Sequence, residues 1–124
     1  MIISEVNTGK KAKYNLSGTV LSVAGVEIDL QQRQEDMQKI VDISLGRDMQ
    51  VASEGVGSWY VATIVIPPRQ RELYLTDELD EDGNKVMAER DMPLDISKVE
   101  LKLWGLPESY GQEQNITQEE SEVL

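Results

Sequence analysis

The sequence predicts a mainly β domain, a small antiparallel barrel or sandwich of about eight short strands with at most one short helix. Three observations lead there. The run Ser58 to Pro68 is the most apolar and β-branched of the chain. Several other stretches alternate apolar and polar residues at period two, and glycine, asparagine and aspartate clusters with turn chemistry punctuate them.

The central strand is expected within Ser58 to Pro68. Val61, Ile64, Val65 and Ile66 are stiff at χ1 and suit a pleated surface; Gly55 and Gly57 open the run and Pro67-Pro68 closes it, because proline cannot donate to a sheet ladder. With Trp59, Val61 and Val65 on one side and Tyr60, Ala62, Ile64 and Ile66 on the other, both faces read as buried.

Before it, Asn7 to Lys11 is a turn with a basic tip, and Lys13 to Val23 reads as a strand in which Gly18 marks a bulge or a close backbone approach. After Ala24-Gly25 the pattern resumes as Val26, Ile28 and Leu30. Leu30 to about Lys39 has helical spacing with Asp29 placed to cap it; Ile40 to Leu45 then alternates as a strand, and Met49 to Ala52 reads as another. After the central strand, Glu72 to Asp77 and Lys85 to Met92 form a hairpin around Asp80-Glu81-Asp82-Gly83-Asn84, and Lys98 to Leu106 alternates cleanly with Val99, Leu101 and Leu103 inward. Residues 1–107 make a single domain, and residues 108–124 read as an acidic, disordered tail.

Composition narrows the chemistry. The 124 residues include neither cysteine nor histidine, which removes disulfides, thiolate metal sites, the Ser-His-Asp triad and the usual general base near neutral pH. The net charge of −11 lies entirely beyond Arg71: residues 1–71 balance eight cations against eight acids, whereas residues 72–124 carry four against fifteen. An acidic half disfavours nucleic acid and anionic lipid as partners. No stretch approaches the roughly 20 apolar residues of a membrane span, and the N-terminus lacks a signal-peptide pattern. The expectation is a soluble protein, cytoplasmic or part of an intracellularly assembled particle, with no cofactor.

Two groups of residues are candidates for function. Trp104 falls on the wet side of the last strand, and with Leu106 and Pro107 forms an apolar patch beside an acidic rim, the anatomy of a protein interface. Glu78, Asp80, Asp82 and Glu89 have the spacing of oxygen ligands in an EF-hand loop, with Gly83 at its sixth position. That loop resembles the motif only in part. Its first ligand is glutamate, Lys85 stands where an apolar residue belongs, and neither flank is helical, so an acidic hairpin with solvated carboxylates accounts better for the run. Asp42, between Val41 and Ile43, is expected to face water.

The functional expectation is a non-enzymatic structural or protein-interaction module, a small subunit of a larger assembly of the virus- or phage-particle kind, whose partner is another protein or itself. The alternatives are a cation- or small-ligand-binding β domain built on Glu78 to Glu89, and a carboxylate-based hydrolase.

Overall fold

In the computed structural model, which describes residues 1–111, ten strands form three sheets. In chain order they are β1 (Ile2–Glu5), β2 (Tyr14–Ser17), β3 (Val20–Val23), β4 (Val26–Asp29), β5 (Lys39–Leu45), β6 (Ala52–Glu54), β7 (Trp59–Ile66), β8 (Arg71–Leu79), β9 (Lys85–Asp91) and β10 (Glu100–Leu103). A single helical turn, α1 (Leu30–Arg33), follows β4, and a 3-10 turn at Ile96–Lys98 precedes β10.

The larger sheet has the order β1-β10-β7-β5-β6 and the second the order β2-β3-β4; β8 and β9 pair only with each other. Leu101, Ile64 and Val41 line up across β10, β7 and β5, as do Leu103, Ala62 and Ile43 in the next row. Those rows are buried and pack on Leu21, Val23 and Ile28 from the smaller sheet and Leu30 from α1, so the two sheets form a sandwich around one aliphatic interior. No barrel closes. Among the described residues no helix is long and apolar enough to cross a membrane.

The central strand is β7, hydrogen-bonded on both edges, but only one of its faces is fully buried. Ala62, Ile64 and Ile66 have no exposure, whereas Thr63 and Val65 are half-buried and Trp59 and Tyr60 are about 40% exposed at its start. A β-bulge at Val61, which has no partner between the Ala62–Ile43 and Tyr60–Ser44 pairs, accounts for the change along the strand: Val61 and Ala62 are both buried, and the alternation of faces resets between them. Asp42 lies on the outer face, half-buried, and accepts a hydrogen bond from Thr63 Oγ1 at 2.9 Å.

Several expectations are corrected. The helix ends at Arg33 instead of running to Lys39, because Gln34 turns inward: it is 4% exposed, and its Nε2 donates to the carbonyl of Pro67 at 3.1 Å. Gly18 is no bulge. It has a φ of +61° in a two-residue turn that splits the expected strand into β2 and β3, with Ser17 paired to Val20. Ala24 and Gly25, both at positive φ, make the next turn, the conformation that suits a two-residue hairpin. The expected strand at Met49 to Ala52 shifts to Ala52–Glu54, since Asp48 Oδ1 accepts from the amides of Gln50 and Val51 and holds a turn there. The apolar N-terminus is β1, which runs parallel to β10 with Ile3 opposite Leu101.

Residues 108–111 form a turn, with the Tyr110 amide donating to the Pro107 carbonyl at 3.0 Å and Tyr110 packed on the core. The expectation of a disordered tail otherwise falls on residues 112–124, outside the described residues.

Arg33 on α1 forms a two-pronged ion pair with Glu54 on β6, one prong being 2.9 Å, which ties the two sheets together at the surface. The hydrogen bond from Arg33 holds the Glu54 carboxyl below its ordinary pKa of 4.5. A depressed acid contributes stability that is complete above its unfolded pKa and is lost as the pH falls through its folded value. The pair is partly exposed, so the contribution is small. Thermal melts of Glu54→Gln against wild type are expected to show a gap at neutral pH that closes as the pH falls below the ordinary carboxylate range; a gap independent of pH would contradict this pairing. Ile64→Ala, at the centre of the interior, is expected to cost about 3 kcal/mol in denaturant unfolding, and a loss under about 1 kcal/mol would show that the site is not a packed core.

Candidate interaction site

The chain leaves the sandwich after Pro67-Pro68 and returns at Met92 to Leu94, and between those points β8 and β9 form an arm. Among the described elements, the two strands pack extensively only on each other. The root is clamped. Arg69 donates to the Gln34 carbonyl at 2.9 Å and to Asp36 at 3.0 Å, its own amide donates to the Glu35 carbonyl at 2.8 Å, and Arg71 pairs with Asp91 at 3.1 Å. The Leu94 amide donates to Gln31 Oε1 at 2.8 Å, which binds the returning chain to α1. These charged contacts are exposed, so they orient the arm more than they stabilise the fold.

The two faces of the arm are unlike. On one, Glu72 pairs with Arg90 at 2.6 Å and the Arg90 guanidinium lies 4.6 Å from the centre of the Tyr74 ring, so charge, aromatic ring and aliphatic stems cover one another. On the other, Leu75 stands opposite Met87 and Leu73 opposite Glu89. Leu73 is 64% exposed, Leu75 62% and Met87 50%, and Leu79 at the outer end of β8 is 63% exposed. That is an apolar row with nothing on it among the described residues.

The tip carries the acids of the expected cation site, and the fold separates them. Asp80 Oδ1 accepts from the amides of Asp82 and Asn84, both at 2.9 Å, and Gly83 at φ +81° completes the turn. Glu89 lies opposite Leu73, four residues back from the Lys85–Leu79 pair that ends the ladder, about 13 Å along the strand. Glu78, Asp80, Asp82 and Glu89 are therefore not one constellation, and among the described residues no group of three or more acids is placed to hold a metal ion.

Trp104, Leu106 and Pro107 are divided between two surfaces. Trp104 is half-buried on the outer face of the larger sheet: its ring centre is 5.5 Å from that of Tyr60 and its Nε1 donates to Thr63 Oγ1 at 3.1 Å, which continues the bond from Thr63 to Asp42. The indole is thus a member of a surface network and not a free apolar patch. Leu106 packs against the core and lines a groove of about 410 Å³ with Lys10, Lys13, Tyr14, Ala24 and Tyr110. Pro107 lines the adjoining hollow, where Lys10, Leu106 and Tyr110 recur with Glu108.

The lysines of this groove are held in place by backbone. The Leu106 amide donates to the Lys10 carbonyl at 2.7 Å and the Ala24 amide to the Lys13 carbonyl at 3.1 Å, pinning the segment at both ends. Lys11 Nζ turns back to the Gly9 carbonyl at 2.7 Å. The sequence pattern marked a basic tip here but gave no sign of the groove, whose walls come from residues up to 100 positions apart.

Comparison with protein-family models, with curated proteins and with solved structures finds no match.

If the arm is an independent element with Asp80 closing its tip, Asp80→Ala should speed amide exchange at Asp82 and Asn84 by roughly tenfold, the loss of about one hydrogen bond, and leave Leu101 and Ile64 unchanged. Faster exchange throughout the sandwich would show that the arm is part of its cooperative unit.

Proposed function

We propose that this chain is a non-enzymatic structural and protein-interaction module, a small subunit of a larger protein assembly, and that the β8–β9 arm is its contact element. The observation that carries this is the uncovered row Leu73, Leu75 and Met87 on a hairpin whose other face is filled. An isolated two-stranded hairpin is marginal in water, and its free edges and apolar face are the parts of a β structure that invite a partner. Covering the row would stabilise the arm and remove three large side chains from water, each worth about 1.5–3 kcal/mol on full burial.

The chemistry of the chain supports the same reading. Without cysteine or histidine, catalysis would fall to carboxylates, lysine or tyrosine. The partner that suits the arm is protein and not nucleic acid or anionic lipid, because residues 71–91 carry eight acids against three cations. Trp104 with Tyr60 offers a second, flatter contact face on the larger sheet. A particle of the viral or phage kind, assembled inside the cell, is the setting proposed for such a subunit.

The test is a triple variant, Leu73→Ser with Leu75→Ser and Met87→Ser, which changes only exposed side chains and should leave the circular dichroism of the sandwich unaltered. It is expected to lose the associated species that wild type shows in light scattering or in affinity capture from its source extract. Retention of the same species by the variant would contradict the role given to the arm.

A further inference from the structure

Resting on the reading of the arm as a contact element, we propose that its receptor is the lysine-bearing groove of a second copy of this chain, so that copies join head to tail. The first argument is charge. Asp77 to Asp82 places five exposed acids at the tip, of which, among the described residues, only Asp77 has a cationic neighbour, Lys85 at 3.8 Å. Lys10, Lys11 and Lys13 stand at the groove, and among the described residues none of them pairs with an acid. Among the described residues the acidic projection and the basic recess each lack a counterpart, and a copy of the chain supplies both.

The second argument is shape and polarity. Leu79 sits directly behind the acids with most of its side chain in water, and the groove is walled by Tyr14, Ala24, Leu106 and Tyr110. An apolar plug beneath a charged tip therefore meets an apolar recess with a charged rim, the arrangement of core and rim in a protein interface. The third is placement. The arm is rooted on α1 and residues 34–36, at the Asp29 end of β4, whereas the groove lies at the Ala24-Gly25 turn, beyond its Val26 end. Donor and acceptor sit at opposite ends of the smaller sheet, which gives a heterologous contact, closing into a ring or extending as a filament according to the angle between copies.

Two complementary variants test this. One blocks the arm (Leu79→Ser, Glu81→Lys, Asp82→Lys) and the other blocks the groove (Lys10→Glu, Lys11→Glu, Lys13→Glu). Wild type is expected to grow in light scattering as concentration rises and to shrink with salt, and each variant alone to associate at least about tenfold more weakly. Mixed together, the two should form a one-to-one species that stops at the dimer, since only one arm and one groove remain. A groove variant that associates like wild type overturns the proposal while leaving the arm reading intact, and so does wild-type-like association by both variants; loss of the arm reading itself is read separately, from wild-type-like association by the Leu73, Leu75 and Met87 triple variant. A wild type that stays monomeric overturns the proposal and leaves the arm to a different protein. Carbodiimide cross-linking of mixed nitrogen-14 and nitrogen-15 protein identifies the occupant. Links from Lys10, Lys11 or Lys13 to Glu78 through Asp82 of the other isotope support the proposal, and links confined to Glu119, Glu120 or Glu122 of the same chain overturn it.

Discussion

In the middle of the larger sheet, β7 presents Ala62, Ile64 and Ile66 to the interior and bonds β10 on one edge and β5 on the other. An aliphatic core without phenylalanine has little aromatic area to draw on, so it depends on rows of branched side chains meeting in register. That requirement explains why the smaller sheet, whose inward residues are Leu21, Val23 and Ile28, is laid across this face.

The same strand determines where the arm begins. Pro67 and Pro68 cannot extend the ladder, so the chain must leave the sheet there, and Gln34 donates to the Pro67 carbonyl while Arg69 donates to the Gln34 carbonyl, which guides the exit. From that point the apolar side chains of β8 have no core to join. Arg90, Glu72 and Tyr74 close one face of the hairpin among themselves, and among the described residues nothing covers the opposite row. Other strands expose single apolar residues, Ile2 on β1 and Ile40 on β5 among them, but the facing row Leu73, Leu75 and Met87, uncovered among the described residues, points to a use outside the domain.

The sequence was informative where the signal is local. Proline pairs, the Asp-Gly turn and the alternation of Lys98 to Leu103 place β7, the hairpin tip and β10 correctly, because turn chemistry and period two act over a few residues. It was silent on pairing across distance: β1 lies beside β10, and Leu106 meets Lys10, through contacts that no window of sequence contains. The helix was overdrawn because Gln34 to Gln38 have good helical propensity, which the bonds of Gln34 to the Pro67 and Pro68 carbonyls override. The alternation of Leu73 and Leu75 announced a strand with an apolar face and could not say that nothing inside the domain covers it. Trp104 was rightly placed on the outer side of its strand, but its cover, Tyr60 and Thr63, comes from another strand.

In the working protein the arm's apolar row is proposed to be covered. Methyl resonances of Leu73, Leu75, Leu79 and Met87, followed as protein or partner concentration rises, address it most directly. The account predicts that these methyls shift or broaden before any other group, while Leu101 and Ile64 stay fixed. Association that moves other surfaces and leaves the four arm methyls unchanged would contradict it.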